Sequence, residues 1–331
     1  MPRARITGIG FNVPERVVTN EDLAKIMDTS DAWIVERTGI RERRFVEPGT
    51  GTTALAVEAA RRAIADAGRT AADVDFIVFA TLSPDYFFPG CGVLLQEALG
   101  MSTIGALDVR DQCSGFIYAL AVADAFVRVG VYRCVLVVGA EIQSNGLDLS
   151  TEGRDMAVLF GDGAGAAIVE PSTDDDRGIL GWALHGEGGN AKELWAEAPG
   201  STIVGRMTPE VLKEGRHFPH MNGRMVFKHA TTRFPEVIRE VLEKSGHTLD
   251  EVALVVPHQA NKRIADAVGE RLGLPADKVF QNIERYGNTT AASVPIALTE
   301  ARDQGRVKPG DLVVLAAFGS GFTWGATLIR W

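Results

Sequence analysis

The chain has only three cysteines, Cys91, Cys113 and Cys134, in 331 residues. Their odd number leaves at least one free thiol, and their wide spacing builds neither a disulfide framework nor a CxxC metal pair. A reducing compartment is the simpler assumption. No uninterrupted apolar run reaches the roughly 18 residues of a membrane span, and Met1 to Gly10 lacks a long apolar targeting stretch. An excess of basic charge is also missing. The 34 Lys and Arg against 43 Asp and Glu give a net charge of −9, which disfavours general nucleic-acid binding. Together these absences predict a soluble, cytoplasmic protein with no membrane or nucleic-acid partner.

What the chain does have is size and glycine. A length of 331 residues exceeds one compact domain, so two fused units or one large double unit are the natural readings. Such a chain buries roughly three quarters of its unfolded surface and needs no metal or disulfide staple. Glycine accounts for 36 of 331 residues, about 11%, against a usual value of about 7%. Many tight turns or close backbone approaches are therefore expected.

The apolar patterning is doubled. Val74 to Thr81 reads as a buried strand, Cys91 to Leu99 as a helix and Gly105 to Val109 as a short strand. Cys113 opens an alanine-rich helix to about Val129, and Val135 to Val138 is a further buried strand. The second half repeats this order with Val252–Val256, Asn261–Leu272, Val279–Gln281, Thr289–Arg302 and Leu312–Ala317. The interval from Cys113 to Asn288 nearly equals that from Val135 to Val313, and each is a little over half the chain. That implies two similarly built halves rather than a short solenoid repeat. Each half ends on a glycine-rich turn, Gly161–Gly165 or Phe318–Gly321, that feeds a last strand. Alternating strands and helices predict an α/β layered fold, dividing within the acidic stretch Pro171 to Arg177 into units 1–172 and 173–331. Residues 186–219 show little periodicity and are read as an irregular cover beside the site.

Three residues stand out for chemistry. Cys113 follows Arg110-Asp111-Gln112 where a strand gives way to a helix, and a sulfur at a helix N-terminus meets unpaired N–H groups and a positive dipole end. Its pKa is expected to fall toward the nucleophilic range. The alternative is a buried structural cysteine. Cys91 shares the helix-start argument with packing as the alternative, and Cys134 reads as a small core hydrophobe. His258, after the strand that ends at Pro257, projects above a sheet end where α/β sites form, or else is a hydrogen-bonded loop histidine. Asn288 is a turn or cap residue by type. It nevertheless falls near the repeat-equivalent place of Cys113, so a doubled fold brings the two helix starts together. His185, His217, His220, His229 and His247 read as structural. The Gly161–Gly165 run lacks the Lys-Ser/Thr ending of a phosphate loop.

The motifs around these residues carry a family resemblance. They are Thr29-Ser30-Asp31-Ala32-Trp33-Ile34-Val35-Glu36-Arg37-Thr38-Gly39-Ile40-Arg41-Glu42-Arg43, Asp108-Val109-Arg110-Asp111-Gln112-Cys113-Ser114-Gly115-Phe116 and Leu159-Phe160-Gly161-Asp162-Gly163-Ala164-Gly165-Ala166. Val256-Pro257-His258-Gln259-Ala260-Asn261-Lys262-Arg263-Ile264, Gly287-Asn288-Thr289-Thr290-Ala291-Ala292-Ser293 and Ala317-Phe318-Gly319-Ser320-Gly321-Phe322-Thr323-Trp324-Gly325 complete the series. In this order they closely resemble the β-ketoacyl-acyl-carrier-protein synthase III family of the thiolase superfamily, across almost the whole chain. The resemblance implies a duplicated thiolase-like fold of five layers, αβαβα, in a homodimer. It implies decarboxylative condensation of an acyl-CoA primer with malonyl-ACP, which gives 3-oxoacyl-ACP and initiates fatty-acid synthesis. No cofactor beyond the coenzyme A thioester substrate and no metal is implied.

By the same resemblance Cys113 accepts the acyl group, while His258 and Asn288 hold malonyl-ACP and stabilise the enolate. Backbone N–H groups of Cys113 and Ser320 form the oxyanion hole; the family usually has glycine at the Ser320 position, and a main-chain donor survives that change. Phe318 packs beside the cysteine. Trp33 and Arg154 take the adenine end of coenzyme A, with Arg37 and Arg263 as charge partners for its phosphates or for the carrier protein. Lys262, Arg263, Arg224 and Lys228 make a docking patch for an acidic carrier protein. Some members carry asparagine where this chain has Arg224, which weakens a direct pantetheine hydrogen bond there. Tyr86-Phe87-Phe88-Pro89-Gly90 resembles the loop that reaches the partner's acyl pocket, with Phe88 at the matching aromatic position, and Phe87 and Phe88 restrict chain length by their bulk. Two other readings are a related acyltransferase of specialised metabolism and a catalytically silent CoA-binding protein. A hydroxymethylglutaryl-CoA type of condensation is disfavoured, because Glu97 and Glu141 do not meet its acid/base motif.

Overall fold

The computed structural model describes residues 3–174 and 176–331. The main strands among them form two sheets: β1 (Ala4–Asn12), β2 (Phe76–Ala80), β3 (Gly105–Val109), β4 (Val135–Glu141), β5 (Gly163–Pro171), β6 (Gly178–Gly186), β7 (Val252–Pro257), β8 (Leu312–Gly319) and β9 (Thr323–Arg330). The first sheet runs β1-β5-β4-β2-β3 and the second, read from its matching edge, β6-β9-β8-β7. In both, two antiparallel pairings are followed by parallel ones. Phe76 lies beside Val135 in one sheet and Leu254 beside Val313 in the other, and both residues of the second pair stand at the same interval from their counterparts in the first. The chain is a duplication at the level of strand order and register.

The inner strands of both sheets bury both faces, which is why they read as continuous apolar runs. Side chains alternate across the pleat. In β2, Val78 faces the central layer while Ile77 and Phe79 face outward; in β4, Val135 and Val137 alternate with Leu136 and Val138. The central layer holds α3 (Gly115–Arg128) and α6 (Ser293–Asp303), packed between the two sheets. Helices α1 (Thr52–Asp66) and α2 (Cys91–Ala98) cover the first sheet, and α4 (Gly223–Lys244) and α5 (Lys262–Leu272) cover the second. The result is the five-layered αβαβα arrangement.

Three local readings are corrected. Val279–Gln281 is no strand: only Val279 bridges to Val255, because a 3-10 turn at Ala276–Lys278 precedes it and the Gln259 side chain takes the Phe280 carbonyl (3.2 Å) and the Asn282 N–H (3.0 Å). The Gly161–Gly165 run is only partly a turn, since β5 already begins at Gly163. Cys113 does not open an α-helix; it sits in a 3-10 turn, Gln112–Ser114, that leads into α3. The matching turn in the second half is Thr290–Ala292, before α6. In the register that equates Val135 with Val313, the counterpart of Cys113 is Ala291, and Asn288 stands just ahead of that turn.

We propose that the halves divide at 172/173. Supporting this, the strands of one sheet all end by Pro171 and those of the other start at Gly178. In the connection the Asp176 N–H donates to the Asp174 carboxylate (2.9 Å); Asp175 of the acidic stretch lies outside the described residues. Within residues 186–219 there are a 3-10 stretch (Gly188–Glu193), a two-residue strand pair joining Leu194–Trp195 to His220–Met221, and a short helix, Pro209–Lys213.

The two turns meet the opposite strands through glycine. A methyl group at Gly139 would lie 2.4 Å from the Ala291 carbonyl oxygen, so the backbone itself would have to move. Gly139→Ala is expected to destabilise the fold by about 1–3 kcal/mol through overpacking, read from denaturant unfolding. Unchanged stability would contradict the close approach.

Candidate active site

A cavity of roughly 130 Å³ opens where the two turns meet, lined by Cys113, His258, Asn288, Phe318, Gly319 and residues of the outer elements, among them Phe160, Leu194, Phe227 and Phe234. The three residues singled out from the sequence therefore share one chamber. The turn that carries Cys113 is held firmly. Ser114 Oγ donates toward the Asp111 carbonyl (2.9 Å) and lies 2.7 Å from the Thr323 hydroxyl. Gln112 and Thr290, the first residues of the two 3-10 turns, both adopt left-handed backbone, φ 45° and 46°, where non-glycine residues are uncommon. Gly319 packs directly on the cysteine: a Cβ there would stand 2.6 Å from Cys113 Cβ and 3.1 Å from its sulfur.

The backbone N–H groups of Cys113 itself and of Ser320 lie close to the Cys113 sulfur and favour its charged form. Its pKa nevertheless moves opposite to the reading from the sequence, pushed up to about 12, chiefly by burial and next by the nearby Glu141 carboxylate. The two N–H donors pull it down by less. The site therefore holds a thiol at neutral pH. The Ser320 hydroxyl donates to the Leu194 carbonyl.

His258 follows β7 and is almost fully buried. Its Nδ1 lies 2.6 Å from Ser293 Oγ, which also accepts the Gln259 N–H (3.3 Å). When the Ser293 hydroxyl donates to Nδ1, the ring proton sits on Nε2. Nε2 is buried and has no hydrogen-bond partner among the described residues. Burial alone drives the imidazole down to about 3, so it stays neutral at physiological pH. Asn288 is held by its backbone, which pairs with Leu159 (2.8 Å) and Gly161 (3.1 Å). Its side-chain oxygen accepts the Thr290 N–H at 2.9 Å, which leaves the NH₂ group as the free donor. A neutral imidazole N–H and a carboxamide N–H are the groups suited to a developing oxyanion.

The charged residues lie toward the outer surface. Trp33 is half-buried, with the Arg37 guanidinium 4.5 Å and that of Arg154 5.1 Å from its ring centre, so the three meet in one stack. Arg154 is also tied to the Asp28 carbonyl. Arg263 lies 5.8 Å over Phe227, which lines the cavity. Arg224 and Lys228 are exposed on the first turns of α4, and Lys262 is exposed but paired to Asp266 at 2.8 Å. Phe318 is buried against the cysteine chamber and packs on Phe322 and Trp324. Phe88 does not line its own chain's chamber and is 75% exposed at a loop tip.

Sequence reasoning gave no role to Ser293, Thr290 or Gly319, and weighed Glu141 only as an acid/base that does not meet its motif. Ser293 and Thr290 belong to the Gly287–Ser293 motif, far along the chain from His258, and only folding shows what their hydroxyls reach. Gly319 carried a signal, a glycine next to the family's oxyanion position.

Because the unfolded chain protonates His258 near its ordinary 6.5 and the folded chain only near 3, His258 costs stability as pH falls across that window and costs nothing above it. Imidazole NMR should show His258 neutral from pH 5 to 8; a midpoint above 5 would contradict this burial. Gly319→Ala should slow alkylation or acylation of Cys113 by at least about tenfold, since a 1 Å displacement of a reacting group has effects of that order or larger. An unchanged rate would show that the turn yields freely.

Two family models match the chain, 3-oxoacyl-[acyl-carrier-protein] synthase III over residues 107–188 and its C-terminal counterpart over residues 242–331. The β-ketoacyl-[acyl-carrier-protein] synthase III of Symbiobacterium thermophilum is 46% identical over 326 residues, 98% of this chain and 97% of that protein. The crystal structure of 3-oxoacyl-[acyl-carrier-protein] synthase III from Aquifex aeolicus matches with a TM-score of 0.91 at 44% identity, covering 99% of this chain and 100% of that one. The priming β-ketosynthase of the R1128 polyketide pathway is similar at 34% identity and a TM-score of 0.90, covering 99% of this chain and 96% of that one. With a doubled α/β fold and a cysteine, a histidine and an asparagine around one buried chamber, the chain belongs to the 3-oxoacyl-[acyl-carrier-protein] synthase III family of acyl-transferring condensing enzymes.

Proposed function

We propose that the Cys113 chamber carries out its family's condensation in two half-reactions. In the first, the Cys113 sulfur attacks an acyl-CoA carbonyl; the new thioester forms on Cys113 and the thiol proton leaves with coenzyme A. In the second, malonyl-ACP loses carbon dioxide, and the enolate carbon attacks the Cys113 thioester. Collapse of that intermediate expels the Cys113 thiolate, which takes up a proton, and 3-oxoacyl-ACP departs. Atoms and electrons balance without a redox cofactor or a metal.

The observation that carries this reading is the arrangement of donors. The N–H groups of Cys113 and Ser320 lie beside the sulfur, where they can serve the oxyanion that the attacked carbonyl oxygen becomes. The unpartnered His258 Nε2 and the free NH₂ of Asn288 supply a second donor pair in the same chamber, for the malonyl thioester oxygen. Phe318 forms the wall beside the reacting sulfur. The stack of Trp33, Arg37 and Arg154, with Arg263 nearby, suits an adenine and its phosphates. Arg224, Lys228, Lys262 and Arg263 suit an acidic carrier protein.

The same reading includes a homodimer in the cytoplasm. Strand β3 is the edge of its sheet, pairing only with β2, and Leu107 on it is exposed. Tyr86, Phe87, Phe88 and Val93 are exposed large hydrophobics in the neighbouring loop and helix. An open strand edge beside an apolar patch is a natural seat for a second copy, whose acyl chamber Phe88 would then enter. No helix among the described residues is long and apolar enough to cross a membrane.

Incubation with acetyl-CoA should add one acyl group to the wild-type protein by intact mass, and none to Cys113→Ala. Binding of acetyl-CoA without acylation would favour a silent CoA-binding protein. Asn288→Ala should still acylate, yet lose condensation with malonyl-ACP by about 10²–10³-fold, the cost of one oxyanion donor. Product masses from competing acyl-CoA primers separate a fatty-acid initiator from a priming enzyme of specialised metabolism.

A further inference from the structure

Neither half-reaction uses Glu141, whose carboxylate is buried at the root of the loop after Ala80. It closes β4 and is fully buried, and no ion pair among the described residues includes it. In the register that equates Val135 with Val313 it is the counterpart of Gly319, the residue that lies against Cys113. Its carboxylate accepts the Ser83 hydroxyl at 2.7 Å, the Leu82 N–H at 3.1 Å and the Thr81 hydroxyl at 3.3 Å. These residues form the root of the loop that carries Phe87 and Phe88. Thr290, whose N–H holds the Asn288 oxygen, accepts the amide of Gln143, two residues beyond Glu141, on its hydroxyl at 3.4 Å, and that hydroxyl favours the charged carboxylate.

We propose that Glu141 is a positioning residue of the site, one buried carboxylate that ties the loop root and the Thr290 turn together and whose charge acts on the Cys113 sulfur. This rests on the reading of Cys113 as the acyl-accepting group. The groups that face Glu141 are hydroxyls of Thr81 and Ser83 from the loop and of Thr290 from the second turn, one backbone N–H, and the Cys113 thiol from the first turn; Asp111 is a further carboxyl acting on that thiol. Among the described residues no lysine or arginine neutralises it. Burial lifts the Glu141 carboxyl to about 7, against hydroxyl and N–H donors that favour its charged form. It therefore ionises in the neutral range, and its anion opposes formation of a second negative charge on sulfur. A neutral Glu141 favours the Cys113 thiolate and a charged one disfavours it.

The test is the pH profile of Cys113 alkylation by iodoacetamide, mapped to its peptide by mass spectrometry, in the full-length protein. Below pH 6 the wild type and Glu141→Gln should react at the same rate. In the wild type the rise in rate should flatten near pH 7 as Glu141 ionises, whereas Glu141→Gln should rise without a shoulder. At pH 8 the variant should be about three- to tenfold faster, the effect of half to one pKa unit. Ser83→Ala, which removes the shortest donor to the carboxylate, should move the wild-type shoulder to higher pH and serves as the reporter should Glu141→Gln fail to fold. Superimposed profiles, or a shift in the opposite direction, overturn the proposal. The assay needs no acyl-CoA, so a wild type that fails to acylate would sink the catalytic reading separately and leave this comparison intact.

Discussion

The site depends on a contact that admits no side chain. Gly319 and the Cys113 turn come so close that even a methyl group at 319 would overlap the cysteine, and Gly139 stands in the same relation to Ala291. Both contacts arise where a strand of one sheet meets the turn that starts the other half's central helix. Two sheets pressing on one shared helical layer bring the two turns together, and glycine lets the strands approach that far. The chamber is a consequence of this packing, and its reacting groups are placed by backbone as much as by side chains.

Burial then sets the chemistry of what is placed there. One low-dielectric environment pushes the Cys113 thiol up, the His258 imidazole down and the Glu141 carboxyl up, because in each case it disfavours the charged form. For His258 the outcome is a ring that stays neutral near physiological pH with Nε2 unpaired. For Cys113 it is a sulfur that stays protonated there. A helix-start argument weighs only the dipole and the N–H groups. It gave the wrong direction for Cys113 because desolvation outweighs both.

The repeat was legible because buried strands write themselves as continuous apolar runs, and Val135 and Val313 do occupy equivalent places in the two sheets. The pairing of Cys113 with Asn288 was an approximation, since Ala291 holds the equivalent place and Asn288 enters the chamber from the residues before its turn. The strand expected at Val279–Gln281 failed for a reason no periodicity carries: the side chain of Gln259, from a separate segment, takes the hydrogen bonds that a ladder would need.

Sequence alone determined the fold class, the duplication and the cysteine, histidine and asparagine around which a chamber had to be sought, since apolar periodicity and ordered motifs are local properties of the chain. Only the tertiary structure decided which nitrogen of His258 is left unpaired, which way the Cys113 thiol is shifted, and that the Glu141 carboxylate is buried on the hydroxyls of Thr81 and Ser83. Those outcomes depend on distance and dielectric between residues far apart in the chain, and neither quantity exists until the layers have packed.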